Sequence, residues 1–282
     1  VLFNGDVAKR SSMKTSIIVC FYEKLGYLKC CLDSLKSSSD DFDEVVIADD
    51  CSSINVVNEI KKYIQDYPFP IIHAWHFREG ARRAACRNNG IRHAQGDYLI
   101  FFDADFAILP GTVQSHIDAA KPGWFAAGRC KYATEEETKH IFSESISTEL
   151  LEQIYKELPE ERILKEHHEF IRYGILRKLR LASARKQTFG GHFSIHKKDI
   201  EAVNGYDENY VGWGGEDQDI AMRLVMAGFR GTSVIKSARV LHLWHPKEIG
   251  DKHWKECANT EYYFRKNPSI YCENGLIKKR SS

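Results

Sequence analysis

Apolar and polar positions along the first third of the chain follow two alternating periods. Residues 16–20 form a short, nearly uninterrupted apolar run, and so do 44–48, 71–76 and 98–102. Between these runs Leu25, Leu28, Leu32 and Leu35 recur at helical spacing, 56–67 is amphipathic and closed by Pro68, and 81–94 reads as a third helix. Buried strands separated by helices of about 10–15 residues predict βαβ units, a parallel sheet and an α/β fold. Sheets of this kind bind ligands beyond the carboxyl ends of their strands, so the chemistry is sought directly after each run.

The second half has another texture. Residues 135–184 are charged and helical in pattern, and short apolar runs return at 193–196 and 232–243. Within that stretch Arg172, Arg177, Lys178, Arg180, Arg185 and Lys186 follow one another with no acid between them. This basic run predicts a solvated helix face, with a peripheral contact to anionic lipid head groups as the alternative. No repeat or low-complexity linker divides the chain, so 13–282 is expected to fold as one unit. Residues 1–12 lack periodicity and are expected to lie outside it, as a remnant or a disordered segment.

Composition narrows the class further. The 282 residues are 43% apolar and 28% charged, ordinary values for a soluble globular protein. Forty basic side chains against thirty-nine acidic ones leave +1, so no global field favours nucleic acid. No run reaches the ~20 apolar residues of a membrane span. No secretory pattern opens the sequence either, and a cytoplasmic location is expected. The eight cysteines include no CxxC pair, which predicts free thiols rather than disulfides.

Four clusters carry candidate chemistry. Asp49 and Asp50 end the second strand, where they suit either a ribose or base contact or an Asx-turn into the next helix. Asp103-Ala104-Asp105 ends the most apolar strand. Carboxylates at i and i+2 project to one side of an extended chain, and a divalent cation relieves their repulsion. Trp213-Gly214-Gly215-Glu216-Asp217 leads into a helical pattern, so Glu216 and Asp217 would sit at a helix N-terminus. There the dipole favours an ionised carboxylate, as a general base requires. His242 and His245 close the last strand-like run. An imidazole joining Asp103 and Asp105 would suit Mn²⁺ better than Mg²⁺.

In this order the runs resemble a family 2 type glycosyltransferase with the GT-A fold. The resemblance rests on 16–53 with Val45-Val-Ile-Ala-Asp-Asp50, on Arg87-Asn-Asn-Gly90 through the DxD-like Asp103–Asp105, and on the Trp-Gly-Gly-Glu-Asp run. That last run is similar to the carboxy-terminal module of galactosyltransferases, polypeptide N-acetylgalactosaminyltransferases and bacterial chondroitin polymerase. The resemblance implies a nucleotide-sugar half over 13–105 and an acceptor-binding, catalytic half over 106–282. It implies that Cys20, Tyr22, Asp49 and Asp50 line the nucleoside, that Arg87 supports the uracil or diphosphate, and that Asp103 and Ala104 face ribose or metal. Asp105 becomes the principal metal carboxylate, with His242 as the metal histidine and His245 as the fallback. Asp217 becomes the base, Glu216 a sugar contact, and Trp213 with Gly214 and Gly215 a face for a sugar ring.

Two positions depart from the family pattern: Phe21-Tyr22-Glu23 replaces the usual Tyr-Asn, and Cys51 stands where a Gly is usual. The implied reaction moves Gal, GalNAc or GlcNAc from a UDP-sugar to a glycan or lipid-linked acceptor. It proceeds with inversion and uses Mn²⁺ (or Mg²⁺), in bacterial surface polysaccharide synthesis. A sugar-nucleotide nucleotidyltransferase and a non-catalytic sugar-binding module are the alternatives. The first would need a Gly-rich, basic loop where 21–26 stands, and the second would not need the acids together.

Overall fold

The computed structural model describes residues 13–77, 80–144, 146–186, 189, 191–246, 256 and 258–278. The chain opens with β1 (Thr15–Phe21), α1 (Leu25–Leu35), β2 (Glu44–Asp49), α2 (Ile54–Tyr63), β3 (Ile71–Trp75), α3 (Arg83–His93) and β4 (Tyr98–Asp103). The four strands are parallel, with β1 between β2 and β4 and β3 outside β2. These are the βαβ units the pattern predicts. The helix expected over 56–67 instead starts at Ile54 and tightens into a 3-10 turn over Ile64–Asp66.

Alternate residues of β1 face opposite cores. Ile17 and Val19 pack with Leu28 and Leu32 of α1, whereas Ile18 packs with Ala84 and Ile91 of α3. Burial on both faces explains why these strands read as continuous apolar runs. The approach of α3 is close: a Cβ on Gly90 would lie 2.6 Å from Cγ2 of Ile18.

After β4 come β5 (Phe106–Ile108), α4 (Thr112–Asp118), β6 (Trp124–Ala127), β7 (Lys131–Tyr132), α5 (Glu135–Ser143), α6 (Thr148–Glu157) and α7 (Glu161–Lys178). Then follow β8 (Phe193–His196), α8 (Lys197–Glu201), α9 (Glu216–Met226), β9 (Arg230–Ser233), β10 (Val240–His242) and α10 (Asn259–Tyr263). The helices α5 to α7 fill the stretch predicted to be helical. Strands β5, β6 and β7 span three, four and two residues, too short to show a period in sequence.

The central sheet runs β3-β2-β1-β4-β8-β6-β9, and a small sheet runs β5-β10-β7. Two features of this topology build the site. Strand order reverses at β1 and β4, where Cys20 is in register with Asp103, so a crevice opens at their carboxyl ends. In the small sheet His242 pairs with Phe106, and the Leu243 amide donates to the Asp105 carbonyl at 2.9 Å. That pairing carries the end of β10 to the residue that follows β4 by two.

Candidate active site

Arg87 lies at the centre of the crevice, on α3, with 5% of its side chain exposed. Its guanidinium donates to Oδ1 of Asp103 at 3.1 Å and to Oε1 of Glu216 at 3.3 Å, and lies 3.5 Å from Oδ1 of Asp217. The acids of the first half and those of α9 therefore share one cation. Glu216 and Asp217 start α9 as predicted, after Gly214 and Gly215 at φ +90° and +96°. A Cβ on Gly215 would lie 2.8 Å from the Tyr210 ring, so both the turn and the packing demand glycine. Trp213, beside them, is half-buried.

Tyr206 is a site residue that the sequence reading missed. It is fully buried, its hydroxyl donates to Oδ1 of Asp217 at 3.3 Å, and the Arg87 guanidinium lies 5.5 Å from its ring centroid. Asn88 fixes that loop, donating from Nδ2 to the Tyr206 carbonyl and accepting from the Tyr206 amide, each at 2.8 Å. Arg83 was missed as well. Burial works against its charge, but Glu216 and Asp103 hold its guanidinium above the ordinary value. The visible signal for it was a second arginine four positions before Arg87, one helical turn away on the same face.

The electrostatics sort the acids. Burial pushes the Asp217 carboxyl up to about 6, against the pull of Arg87 and with help from Glu216 and Asp103. Desolvation thus outweighs the helix dipole in setting this pKa, while the carboxylate remains the major form at neutral pH. Asp217 still has 29% of its side chain open to the cleft. Burial also raises Asp103, Arg87 opposing and Asp105 adding to the rise.

Asp103 and Asp105 part company. The strand ends at Asp103 and the chain turns at 104–105, so the i, i+2 geometry of an extended strand does not apply. Asp103 turns to Arg87, whereas Oδ2 of Asp105 lies 3.1 Å from Nε2 of His245 and 3.7 Å from Nε2 of His242. Ligand atoms of Asp105, His242 and His245 fall within 4.8 Å of one another. Burial would raise the Asp105 carboxyl, but His245 and His242 bring it below the ordinary value. Its Oδ1 is buried with no hydrogen-bond partner. One carboxylate with a spare oxygen and two imidazoles form a donor set that fits a divalent transition-metal ion. Both histidines converge on it, where the sequence reading kept His245 as fallback.

At the carboxyl end of β2 Asp49 is fully buried. Its oxygens hold the Ser52 amide at 2.8 Å and Nε2 of His73 at 2.7 Å, the Asx-turn reading of the sequence. Asp50 accepts from the Arg82 amide at 3.1 Å and lies 3.3 Å from His76. Cys51 adopts φ +69°, which explains why the family prefers glycine there. Glu23 caps this corner by accepting from the Ser53 amide at 2.6 Å. Cys20 is half-buried, its carbonyl accepting from the buried Ala104 at 3.0 Å, and Tyr22 is exposed at the rim. The seven described cysteines are free thiols, as expected, and Cys257 lies outside the described residues.

Comparison with known proteins decides what this arrangement belongs to. Residues 16–186 match the model of glycosyl transferase family 2, and 171–246 match that of the N-terminal domain of galactosyltransferase. The chain belongs to glycosyl transferase family 2. It is 26% identical to the chondroitin synthase of Escherichia coli over 94% of its own length and 40% of that protein's. It is 46% identical to human beta-1,4-galactosyltransferase 1 over 55 residues, 20% of this chain and 13% of that protein. The solved structure of GalNAc-T7 with UDP, GalNAc and Mn²⁺ superposes with a TM-score of 0.56 at 16% identity, over 83% of this chain and 44% of that one.

This glycosyltransferase thus has the GT-A fold expected from its sequence and is an enzyme, which sets aside the nucleotidyltransferase and the sugar-binding module. Among its described residues no helix is long and apolar enough to cross a membrane. The basic run is not one uniform face: Arg185 donates to the carbonyls of Tyr263 and Arg265, tying α10 down, while Arg172, Lys178, Arg180 and Lys186 are exposed.

Proposed function

We propose that the protein transfers Gal, GalNAc or GlcNAc from a UDP-sugar to a hydroxyl of a glycan or lipid-linked acceptor, by a single inverting displacement. The observation that carries this reading is Arg87, which bridges Asp103 at the sheet crevice to Glu216 and Asp217 on α9. Donor and acceptor would meet across it, with 13–105 as the donor half and 106–282 as the acceptor half.

Asp217 accepts the proton of the acceptor hydroxyl as its oxygen attacks the anomeric carbon. The bond from that carbon to the diphosphate oxygen breaks on the opposite face, giving a β-linkage from an α-linked donor. A carboxyl poised near 6 is suited to this task at neutral pH. Glu216 and Trp213 orient the sugars, and Asp103 holds the ribose side. Arg83 and Arg87 face the negative charge that develops on the diphosphate. Asp105, His242 and His245 would hold Mn²⁺, which supplies further neutralisation of the leaving group when bound. Cys20, Tyr22, Asp49 and Asp50 form the nucleoside end, with Asp49 acting through the loop it caps.

The test is to incubate the protein with UDP-sugars, an acceptor panel and Mn²⁺, and to read the product anomer by NMR. A β-linked product is expected, and an α-linked one would end the inverting mechanism.

The lipid contact gains one observation. Ile171, Ile175 and Leu179 follow at four-residue spacing, are 43%, 56% and 60% exposed, and stand among the exposed cations of the basic run. An apolar stripe with basic flanks suits the interface of an anionic bilayer and would bring the site to a lipid-linked acceptor in bacterial surface polysaccharide synthesis. Sedimentation with phosphatidylglycerol vesicles, lost on Ile175→Glu, tests it.

A further inference from the structure

Behind one wall of the crevice runs a chain of polar groups that the proposed chemistry does not use. His116 of α4, His192, Ser194 of β8 and Tyr98 of β4 are all fully buried. Nε2 of His192 lies 3.1 Å from the Arg129 carbonyl, which can only accept, so this nitrogen carries a proton. Burial pushes the His192 imidazole down to about 4, outweighing the pull of that carbonyl, and holds His116 well below its ordinary value. Both rings are therefore neutral. Nδ1 of His192 is then bare and accepts from Nε2 of His116 at 2.8 Å. Nδ1 of His116 is bare in turn and accepts from the Ser194 hydroxyl at 2.6 Å. The Tyr98 hydroxyl closes the chain, 2.7 Å from the Ser194 oxygen and 3.1 Å from the His116 carbonyl. Only one tautomer of each histidine satisfies these contacts.

The chain braces the start of β8 from the rear. Phe193 and Ile195 pack into the core on the α3 side, so His192 and Ser194 face the opposite side. There the His192 ring leans on Phe102, the residue before Asp103, at a centroid distance of 5.5 Å. It passes so close to Gly128 that a Cβ at 128 would lie 1.8 Å from its Cε1, and the Gly128 amide donates to the His192 carbonyl at 2.9 Å. One imidazole thus ties the start of β8 to α4, to 128–129 and to the strand that ends in Asp103.

The front of the same segment is apolar and faces the acids. Phe189 stacks on Phe193 at 4.0 Å and Phe193 on Phe101 at 4.5 Å, with interplanar angles of 5° and 3°. Phe189, Gly191 and Phe193 share with Arg87, Asp103 and Asp217 a recess of about 10 Å³, which holds one water at most. This wall shields one side of Asp217, while 29% of its side chain opens to the cleft.

We infer that His116 and His192 are positioning residues that hold the wall of Phe189, Gly191 and Phe193 shut against Asp217 and keep water from that side of the carboxyl. The inference deepens the reading of Asp217 as the base and rests on it for any effect on turnover. Loosening the chain admits water beside Asp217, which favours the charged form. The charged and titratable groups that face Asp217 are Arg83, Arg87, Asp103, Glu216 and Tyr206, and none is a member of the chain.

The test compares His116→Leu, which removes the central donor, with His116→Gln, whose carboxamide returns a donor near the Nε2 position. Two readouts apply to the full chain: the pH dependence of kcat/KM, and a ¹³C NMR titration of labelled aspartates, assigned with Asp217→Asn, which needs no turnover. His116→Leu should lower the titration of Asp217 by about one pH unit, and His116→Gln should stay nearer the parent. If His116→Leu does not fold, Ser194→Ala is read in its place, with a smaller shift in the same direction. A folded variant whose Asp217 titrates as in the parent overturns the inference. An equal shift in His116→Gln overturns it too, since ring packing rather than the hydrogen-bonded chain would then hold the wall. An NMR shift in a protein that turns over no UDP-sugar would sink the catalytic reading and leave the wall. An active enzyme whose acid limb none of these variants moves would sink the wall alone.

Discussion

Nη1 of Arg87 and Oδ1 of Asp217 lie 3.5 Å apart, joining a helix of the first sheet unit to the first turn of α9. Arg87 is buried and Asp217 partly so, and each opposes the other's desolvation. Burial would neutralise the carboxyl, and the guanidinium restrains that rise to about 6. Burial alone would lower the pKa of the guanidinium, but Asp217 and Asp103 hold it well above its ordinary value.

The first consequence is a pH profile. In the proposed mechanism Asp217 works as the carboxylate, so activity should be level above about pH 6 and fall tenfold per unit below it. The measurement is kcat/KM against pH with saturating Mn²⁺. An acid limb near pH 4 would mean that another group, or a solvated Asp217, is the base.

Asp217→Asn should lower turnover by about 10²- to 10⁴-fold with UDP affinity nearly kept. It should also make the protein more stable at pH 7. The folded pKa is raised, so the site favours the neutral form, and the cost of the charged form appears as pH rises through about 6. Two pK units would be worth about 2.7 kcal/mol. With 29% of the side chain open to the cleft, a gain of about 1 kcal/mol is expected in urea unfolding. A destabilised, fully active variant would contradict both parts.

Tyr206→Phe should move the acid limb upward. The phenol donates to the charged form of Asp217, so its loss favours the neutral form. A net hydrogen bond of about 1 kcal/mol corresponds to roughly 0.7 pK unit. The plateau rate should change little, which separates this role from direct catalysis.

Much of 13–105 was legible in the sequence because its strands are buried on both faces and its candidate chemistry follows them directly. Asp103, Glu216 and Asp217 stand where the runs put them. Tyr206 was hidden for a physical reason: its role depends on Asn88 of α3 reaching across to another part of the chain, and no local period records such a contact. The divergence of Asp103 from Asp105 was hidden too, since an i, i+2 pair turns apart once the strand stops. His242 and His245 meet Asp105 only because β10 pairs with β5, a strand of three residues.

Removing any one of Asp105, His242 or His245 should weaken Mn²⁺ binding by about tenfold or more, where tenfold is about 1.4 kcal/mol. Because the Asp105 and His245 groups are closer than Asp105 and His242, His245→Ala is expected to matter at least as much as His242→Ala. Titration of Mn²⁺ followed by calorimetry reads this without turnover. Full affinity in His245→Ala would return the site to His242 and Asp105 with a different third ligand.

The third acid of the α9 run, Asp219, should behave in the opposite sense to Asp217. It and Arg223 are both 0% exposed, 2.6 Å apart and one helical turn from each other. Arg223 also donates to the carbonyls of Val203 and Gly205 at 2.8 and 2.7 Å, while Asp219 accepts from Tyr210 and Arg265 at 3.1 Å each. This network pins the 203–210 loop that carries Tyr206 against α9. Asp219→Ala would leave the Arg223 guanidinium buried without its partner, a loss of about 3–5 kcal/mol. At a few degrees per kcal/mol the melting temperature should drop by about 10 °C. Mn²⁺ affinity in the folded variant should stay near that of the parent, since β10 and the 104–105 turn do not depend on this pair. If Asp219→Ala melted like the parent, the buried pair would not be what holds the Tyr206 loop, and the anchoring of Tyr206 would have to rest on its bonds to Asn88.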